Sequence, residues 1–167
     1  MMRRYALGVI FSALFQAVPP SDLASTSSDF TTKAPEMLSF VTWNIDGLDD
    51  KNLKIRTKAV YKLIDEFKID IVCLQEVIPE SFDYLKSKLP QYQFLCHDPT
   101  ADYFTAVLLR RFVVYSDSFQ SIDYPGTRMG RNLFVVDCHI GQFKLCILNT
   151  HLESTKVKRL VGLSEPD

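Results

Sequence analysis

The sequence predicts an α/β layered fold with a mixed sheet. Strand-period and helix-period segments alternate in the order β-α-β-α between Leu38 and Leu89. After Pro90 the period changes to two, and five strand candidates follow one another without an intervening helix. The first half therefore suits a parallel crossover and the second half a mainly antiparallel series, so a purely parallel sheet is not expected.

Taken in order, the chain begins "MMRRYALGVIFSALFQAVPPSD", a basic start followed by an uncharged run from Ala6 to Val18 and a Pro-Pro stop. Three readings compete for residues 1–18: a secretory signal, a mitochondrial-type presequence, and an apolar tail with no targeting role. Phe15 spoils a signal cleavage site by standing two before Ala17, where a small residue is wanted. The run is also too short to span a bilayer. Residues 19–37 are Ser/Thr-rich and aperiodic, as a flexible linker is.

From Leu38 the pattern is orderly. "LSFVTW" alternates as a strand. Over residues 51–67, Ile55, Ala59, Val60, Leu63, Ile64 and Phe67 fall on one helical face, which is expected to be the buried one. "DIVCL" (70–74) is a continuous apolar run, as in a strand buried on both faces. Pro79 suits the first turn of a second helix, with Phe82, Leu85 and Leu89 inward. "YQFLC", "YFTAVLL", "FVVYSDSF", "NLFVVDCHI" and "FKLCILNTHL" complete the strands, the last two joined by a tight "GQ" turn. There is no internal repeat.

A chain of 167 residues with formal net charge −1 holds one domain at most and carries no global basic field. Nucleic-acid binding would need a local patch, such as Arg128 and Arg131 with Lys156, Lys158 and Arg159. Cys73, Cys96, Cys138 and Cys146 lie in apolar strand-like segments without metal-finger spacing, so they read as buried free thiols of a reducing compartment.

Three polar clusters stand just past strand ends: Asn44 with Asp46, then Glu76, then His151 with Ser154. Each has a plain reading and a chemical one. Asn44 and Asp46 suit a turn before Gly47, or an amide and a metal-binding carboxylate at the lip of a sheet. Glu76 suits a solvated helix start, or a second carboxylate for a hard divalent ion. His151 suits a structural hydrogen-bonder, or a phosphate contact whose protonated form offsets developing charge. His97 and His139 have no acidic or motif context.

"TWNIDGLD" (42–49), "DIVCLQEV" (70–77), "YFTAVLL" (103–109), "TRMGRNL" (127–133) and "THLES" (150–154) closely resemble the 5′-tyrosyl-DNA phosphodiesterases. These enzymes form a branch of the metal-dependent endonuclease/exonuclease/phosphatase superfamily. The resemblance covers roughly residues 38–160 and implies the first half of a DNase I-like layered α/β sandwich. It implies a Mg²⁺-dependent hydrolase of DNA repair that acts on DNA with 5′-tyrosyl adducts, in the nucleus and cytoplasm, with Mn²⁺ as an alternative ion. The secretory or mitochondrial address suggested by residues 1–18 stands against that location. By the same resemblance Glu76 is the main metal ligand and Asp46 the second acid at the metal. Asn44 and His151 are catalytic contacts to the scissile phosphate, with Ser154 beside His151. Tyr103 and Arg131 lie on the DNA-binding face. Other superfamily substrates, such as apurinic sites, share the "WN-x-D-G-L" and "LQE" motifs.

The family pattern stops short here. No Asp-x-Asn follows His151 and no Ser-Asp-His occurs, and residues 161–167 diverge. The 167 residues are thus expected to be the N-terminal half of a domain of roughly 250 residues. Such a half would be poorly soluble or dependent on an unspecified protein partner. It would also be catalytically inactive, keeping part of a DNA- or partner-binding surface.

Overall fold

Strand β3 (Ile71–Val77) lies at the centre of the molecule, and its surroundings explain its unbroken apolar sequence. Val72 and Leu74 point into a core shared with two helices, whereas Ile71 and Cys73 point the other way, into a core between two sheets. The computed structural model describes residues 8–14 and 37–153. Around β3 are β1 (Gly8–Leu14), β2 (Met37–Asn44), α1 (Leu53–Phe67), α2 (Pro79–Lys88), β4 (Tyr92–Cys96) and β5 (Phe104–Arg110). A second sheet comprises β6 (Tyr115–Asp123), β7 (Asn132–Ile140) and β8 (Phe143–Thr150).

The first sheet has the order β1-β2-β3-β5-β4 and the second β6-β7-β8. β2 and β3 are parallel, connected through α1, and every other pair is antiparallel. The sheet is mixed, as expected. Of the apolar N-terminal run, Gly8–Leu14 forms β1 on β2. Residues 1–7 and 15–36, with most of the linker segment, lie outside the described residues. No described helix is long and apolar enough to cross a membrane.

The face of α1 differs from the expectation. Thr57, Val60 and Ile64 are buried, while Ala59, Leu63 and especially Ile55 (69 % exposed) and Phe67 (58 %) face outward. Periodicity counted Thr57 as polar and so placed the stripe too far round the helix. In the fold its hydroxyl donates to Leu53 O at 3.0 Å and meets Ser81 Oγ of α2 at 3.1 Å. A satisfied hydroxyl can occupy the middle of a buried face. The second difference is at β6. Residues 111–113 form a turn with Phe112 at φ +64°, and the strand starts at Tyr115 and runs on to Asp123. Val114 N–H donates to Arg110 O, which closes that turn and delays pairing with β7.

In α2, Phe82 and Leu85 are buried, and Leu89 just past its end is too. The "GQ" turn is as read: Ile140 pairs with Phe143, and Gly141 at φ +55° supplies the positive φ that tight hairpins need. All four cysteines are free, but only Cys73 and Cys138 are buried, and Cys146 is exposed. Burial pushes the Cys73 thiol up to about 12. At the start of β3, buried Asp70 pairs with Arg110 at 2.6 Å and accepts from Ser39 N–H and Oγ at 2.8 Å, clamping the sheet end opposite Glu76.

Candidate active site at the strand ends

The ends of β2 and β3 are shaped by two residues in left-handed conformation, Asp46 (φ +54°) and Glu76 (φ +54°). A register shift between Leu74 and Val77 in the β3–β5 ladder marks a bulge at Glu76. Bulges re-aim side chains, and left-handed non-glycine residues persist only where their surroundings hold them. Here Ile45 N–H donates to Gln75 O and Gly47 N–H to Glu76 O, both at 3.1 Å. Gly47 is required by space: a Cβ there would lie 2.1 Å from the Glu76 carbonyl oxygen.

Asn44 serves both readings of its motif. Its Oδ1 accepts from Asp46 N–H at 2.9 Å, an Asx turn, while its Nδ2 donates to Glu76 Oε1 at 2.9 Å. Arg56 of α1 donates to Asp46 O at 2.7 Å and also to the carbonyls of Asp49 and Lys51, which ties the loop to the helix. His151 Nε2 lies 3.4 Å from Glu76 Oε1, and its Nδ1 lies 2.5 Å from Arg131 Nη1. Because Arg131 can only donate, Nδ1 is the acceptor and Nε2 carries the proton. Burial pushes the imidazole below its ordinary value, the Arg131 charge adds to that, and Glu76 opposes it. The neutral ring is the form the site favours.

Arg131 is itself buried, at 4 % exposure. Its guanidinium lies 5.2 Å from the Tyr103 ring centroid, and Tyr103 Oη donates to Met129 O. The loop carrying it is pinned by Glu153, whose Oε1 accepts from Thr127 Oγ1 and from the N–H groups of Arg128 and Met129. Those bonds, the Thr127 hydroxyl foremost, hold the Glu153 carboxyl below the usual range. Tyr103, Arg131 and His151 line one wall of a pocket of about 210 Å³ that His97, Asp98 and Asp123 also border.

Five of the sequence candidates thus form one chain of contacts: Asn44, Glu76, His151, Arg131, Tyr103. Asp46 joins it through its backbone, and its carboxylate accepts no hydrogen bond among the described residues. Ser154 lies outside the described residues. His139, which belongs to no motif in the sequence, pairs with Asp117 at 2.8 Å on the second sheet, away from this cluster. Carboxylates such as those of Asp46 and Glu76 are the residue type that suits Mg²⁺, a hard ion that takes one or two carboxylates and keeps its waters. Among the described residues no three His, Cys, Asp or Glu side chains gather to hold a metal ion.

Sequence reasoning missed Gln75 and Asn149. Both are buried, and Gln75 Nε2 donates to Asn149 Oδ1 at 2.7 Å across the two sheets. The available signal was parity. Asn149 occupies the same inward face of β8 as Leu145 and Ile147, where a polar residue must find partners.

The sequence model of the Endonuclease/Exonuclease/phosphatase family matches residues 41–148. Tyrosyl-DNA phosphodiesterase 2 of Xenopus tropicalis is 39% identical over 135 residues, covering 80% of this chain and 36% of that protein. The Homo sapiens protein of that name is 38% identical over 132 residues, 79% of this chain and 36% of its own length. The crystal structure of D. rerio TDP2 complexed with single strand DNA product superposes with TM-score 0.69 at 36% identity. It covers 72% of this chain and 48% of that one. The chain spans about a third of the length of the curated relatives it matches.

Proposed function

From the premise that the chain belongs to the endonuclease/exonuclease/phosphatase family, we propose that it carries the metal- and phosphate-facing part of a phosphodiesterase site. We take the substrate to be DNA with a 5′-phosphotyrosyl linkage to protein, which places the protein in DNA repair. The likeness to tyrosyl-DNA phosphodiesterase 2 over 80% of the chain supports that choice. Residues 38–160 are read as the catalytic half-domain, 1–18 as an apolar lead segment, 19–37 as a linker and 161–167 as a divergent tail. Nucleus and cytoplasm are the proposed location, with a secretory or mitochondrial address as the alternative.

One observation carries the anion-binding reading. Arg131 is buried, forms no ion pair among the described residues, and keeps its Nε without a hydrogen-bond partner. A buried cation without a counter-ion is costly, and an arriving phosphate would complete it. Glu76 and Asp46 would hold Mg²⁺ or Mn²⁺, which when bound supplies positive charge to the phosphoryl oxygens. The second amide hydrogen of Asn44 Nδ2 is free to reach a phosphate oxygen. His151 offers Nε2–H from a neutral ring, and its 3.4 Å contact to Glu76 is long enough to be exchanged for a phosphate oxygen. Arg131 provides the fixed charge, and its stack on Tyr103 gives the nucleotide or tyrosyl group a flat wall. Ser154 is assigned a supporting phosphate contact. Hydrolysis would form a P–O bond from water and break the bond to the tyrosine oxygen, leaving a 5′-phosphate and free tyrosine.

A second reading is an inactive polypeptide with a partial DNA- or partner-binding surface. It is favoured by the described residues, among which no three His, Cys, Asp or Glu side chains gather to hold a metal ion. Tyrosine release from a 5′-tyrosyl oligonucleotide, with Mg²⁺ and with EDTA, decides. Release is expected only from a chain extended through the Asp-x-Asn and Ser-Asp-His motifs, and it should vanish in Glu76→Gln. An apurinic-site oligonucleotide run in parallel tests the other superfamily substrate.

A further inference from the structure

The bulge that presents Glu76 is braced by a side chain from the opposite sheet. Asn149 belongs to β8, two residues before His151. Its Nδ2 donates to Leu74 O at 3.0 Å and to Ala106 O at 2.9 Å. Leu74 and Ala106 are the last regular pair of the β3–β5 ladder before the register shift. The Asn149 Oδ1 accepts from Gln75 Nε2, which also donates to Thr42 Oγ1 of β2 at 3.1 Å. One amide at 3 % exposure therefore joins β8 to β3 and β5 directly, and to β2 through Gln75, at the level where the chain turns into Glu76.

We infer that Asn149 is a positioning residue. Its amide fixes the β3 bulge, and with it the left-handed backbone of Glu76, and couples the Glu76 lip to the strand that delivers His151. The geometry supports a specific role over general packing. All three hydrogen bonds of the amide are directed, two at the carbonyls of the bulge mouth and one at the residue preceding Glu76. An apolar residue of equal volume would fill the space but leave Leu74 O and Ala106 O without those donors. The consequence for metal binding rests on the proposed reading of Glu76, whereas the backbone consequence does not.

The test uses the 167-residue chain. Amide hydrogen exchange is followed at Ile45 and Gly47, whose N–H groups bond to Gln75 O and Glu76 O and so report on the lip itself. Asn149→Leu and Asn149→Asp both remove the two donations, whereas Gln75→Met leaves them intact. Ile140→Ala, in the core beside the β7–β8 turn, serves as a general destabilisation control. Both Asn149 variants are expected to speed exchange at Ile45 and Gly47 at least tenfold beyond the change at β6–β7 amides. Gln75→Met and Ile140→Ala should show no such preference. Mn²⁺ affinity, read by water-proton relaxation, should fall about tenfold in Asn149→Leu. If the unsubstituted chain holds no Mn²⁺, the metal reading of Glu76 fails and the exchange result still decides the inference. Uniform acceleration across both sheets overturns it. So does failure of both Asn149 variants to fold while Ile140→Ala folds, because the amide would then hold the sandwich together rather than the site.

Discussion

Replacing Gly47 by alanine should damage the site by displacing the backbone of Glu76. The new Cβ would meet the Glu76 carbonyl oxygen at 2.1 Å and its carbonyl carbon at 3.3 Å, with Ile78 Cγ2 at 3.4 Å. Relief to 3.0 Å, the shortest contact a Cβ tolerates, needs a shift of at least about 0.9 Å. The atom it meets is backbone, so no side chain can rotate away. That shift breaks the Gly47 N–H to Glu76 O bond, worth about 0.5–1.5 kcal/mol net. Overpacking strain adds about 1–3 kcal/mol. Together about 2–4 kcal/mol should be lost, or roughly 5–15 °C in melting temperature. Misplacing the carboxylate should also weaken Mn²⁺ binding by about 10–100-fold. Gly130→Ala is the matched control. Its φ is +62° but a Cβ there meets nothing within 4 Å, so only the conformational cost of about 1 kcal/mol applies. Thermal melts and Mn²⁺ titration of both variants decide. A Gly47→Ala chain that melts within a degree of the parent and binds Mn²⁺ equally would refute the reasoning.

Asp70→Ala should cost about 3–5 kcal/mol in denaturant unfolding, because it strands Arg110 and the Ser39 N–H at the sheet end; Mn²⁺ affinity should be unchanged, since that end lies opposite Glu76. His151 has a folded-state pKa below its ordinary 6.5, so its contribution to stability is present above that value and lost as pH falls through the folded one. Between pH 7.5 and 5 the parent should therefore lose more stability than His151→Asn, and a parent that gains relative to the variant would contradict the geometry. Leu148 (60 % exposed) lies within β8 and Leu152 (66 %) just past it, and β8 pairs only with β7 among the described residues, so the chain should associate with rising concentration. Sedimentation velocity should show that association reduced in Leu148→Lys, and a monodisperse parent would sink the prediction.

What was legible in the sequence was what local pattern encodes. "DIVCL" announced a strand buried on both faces because each residue from Ile71 to Leu74 faces some apolar partner, whichever side it points to. The order of elements followed from changes of period, and the "GQ" turn from glycine's freedom at positive φ. The face of α1 was illegible because Thr57 counts as polar until Ser81, 24 residues away, gives its hydroxyl a partner. Periodicity sees side chains one at a time, and the buried face was decided by a pair.

The candidate site divides along the same line. Asn44, Glu76 and His151 could be picked out because each follows an apolar strand-like run in the sequence, and the ends of such runs at one sheet edge converge without any knowledge of the tertiary contacts. What holds them was invisible. Gly47 is needed because of a carbonyl 29 positions on, and Asn149 because of carbonyls 75 and 43 residues away. Such residues carry no chemistry that a motif would single out. Their common mark is a mismatch with their local setting: a small residue at a strand mouth, an amide at an inward strand position. The buried Arg131 fits that description too, being a charge buried in the loop just before β7. Locally costly choices of this kind are tolerated where a distant partner compensates, and in Asn149 that partner is the bulge at Glu76. On the proposed reading the missing compensation for Arg131 is an anion, and its unpaired Nε is the feature that points there.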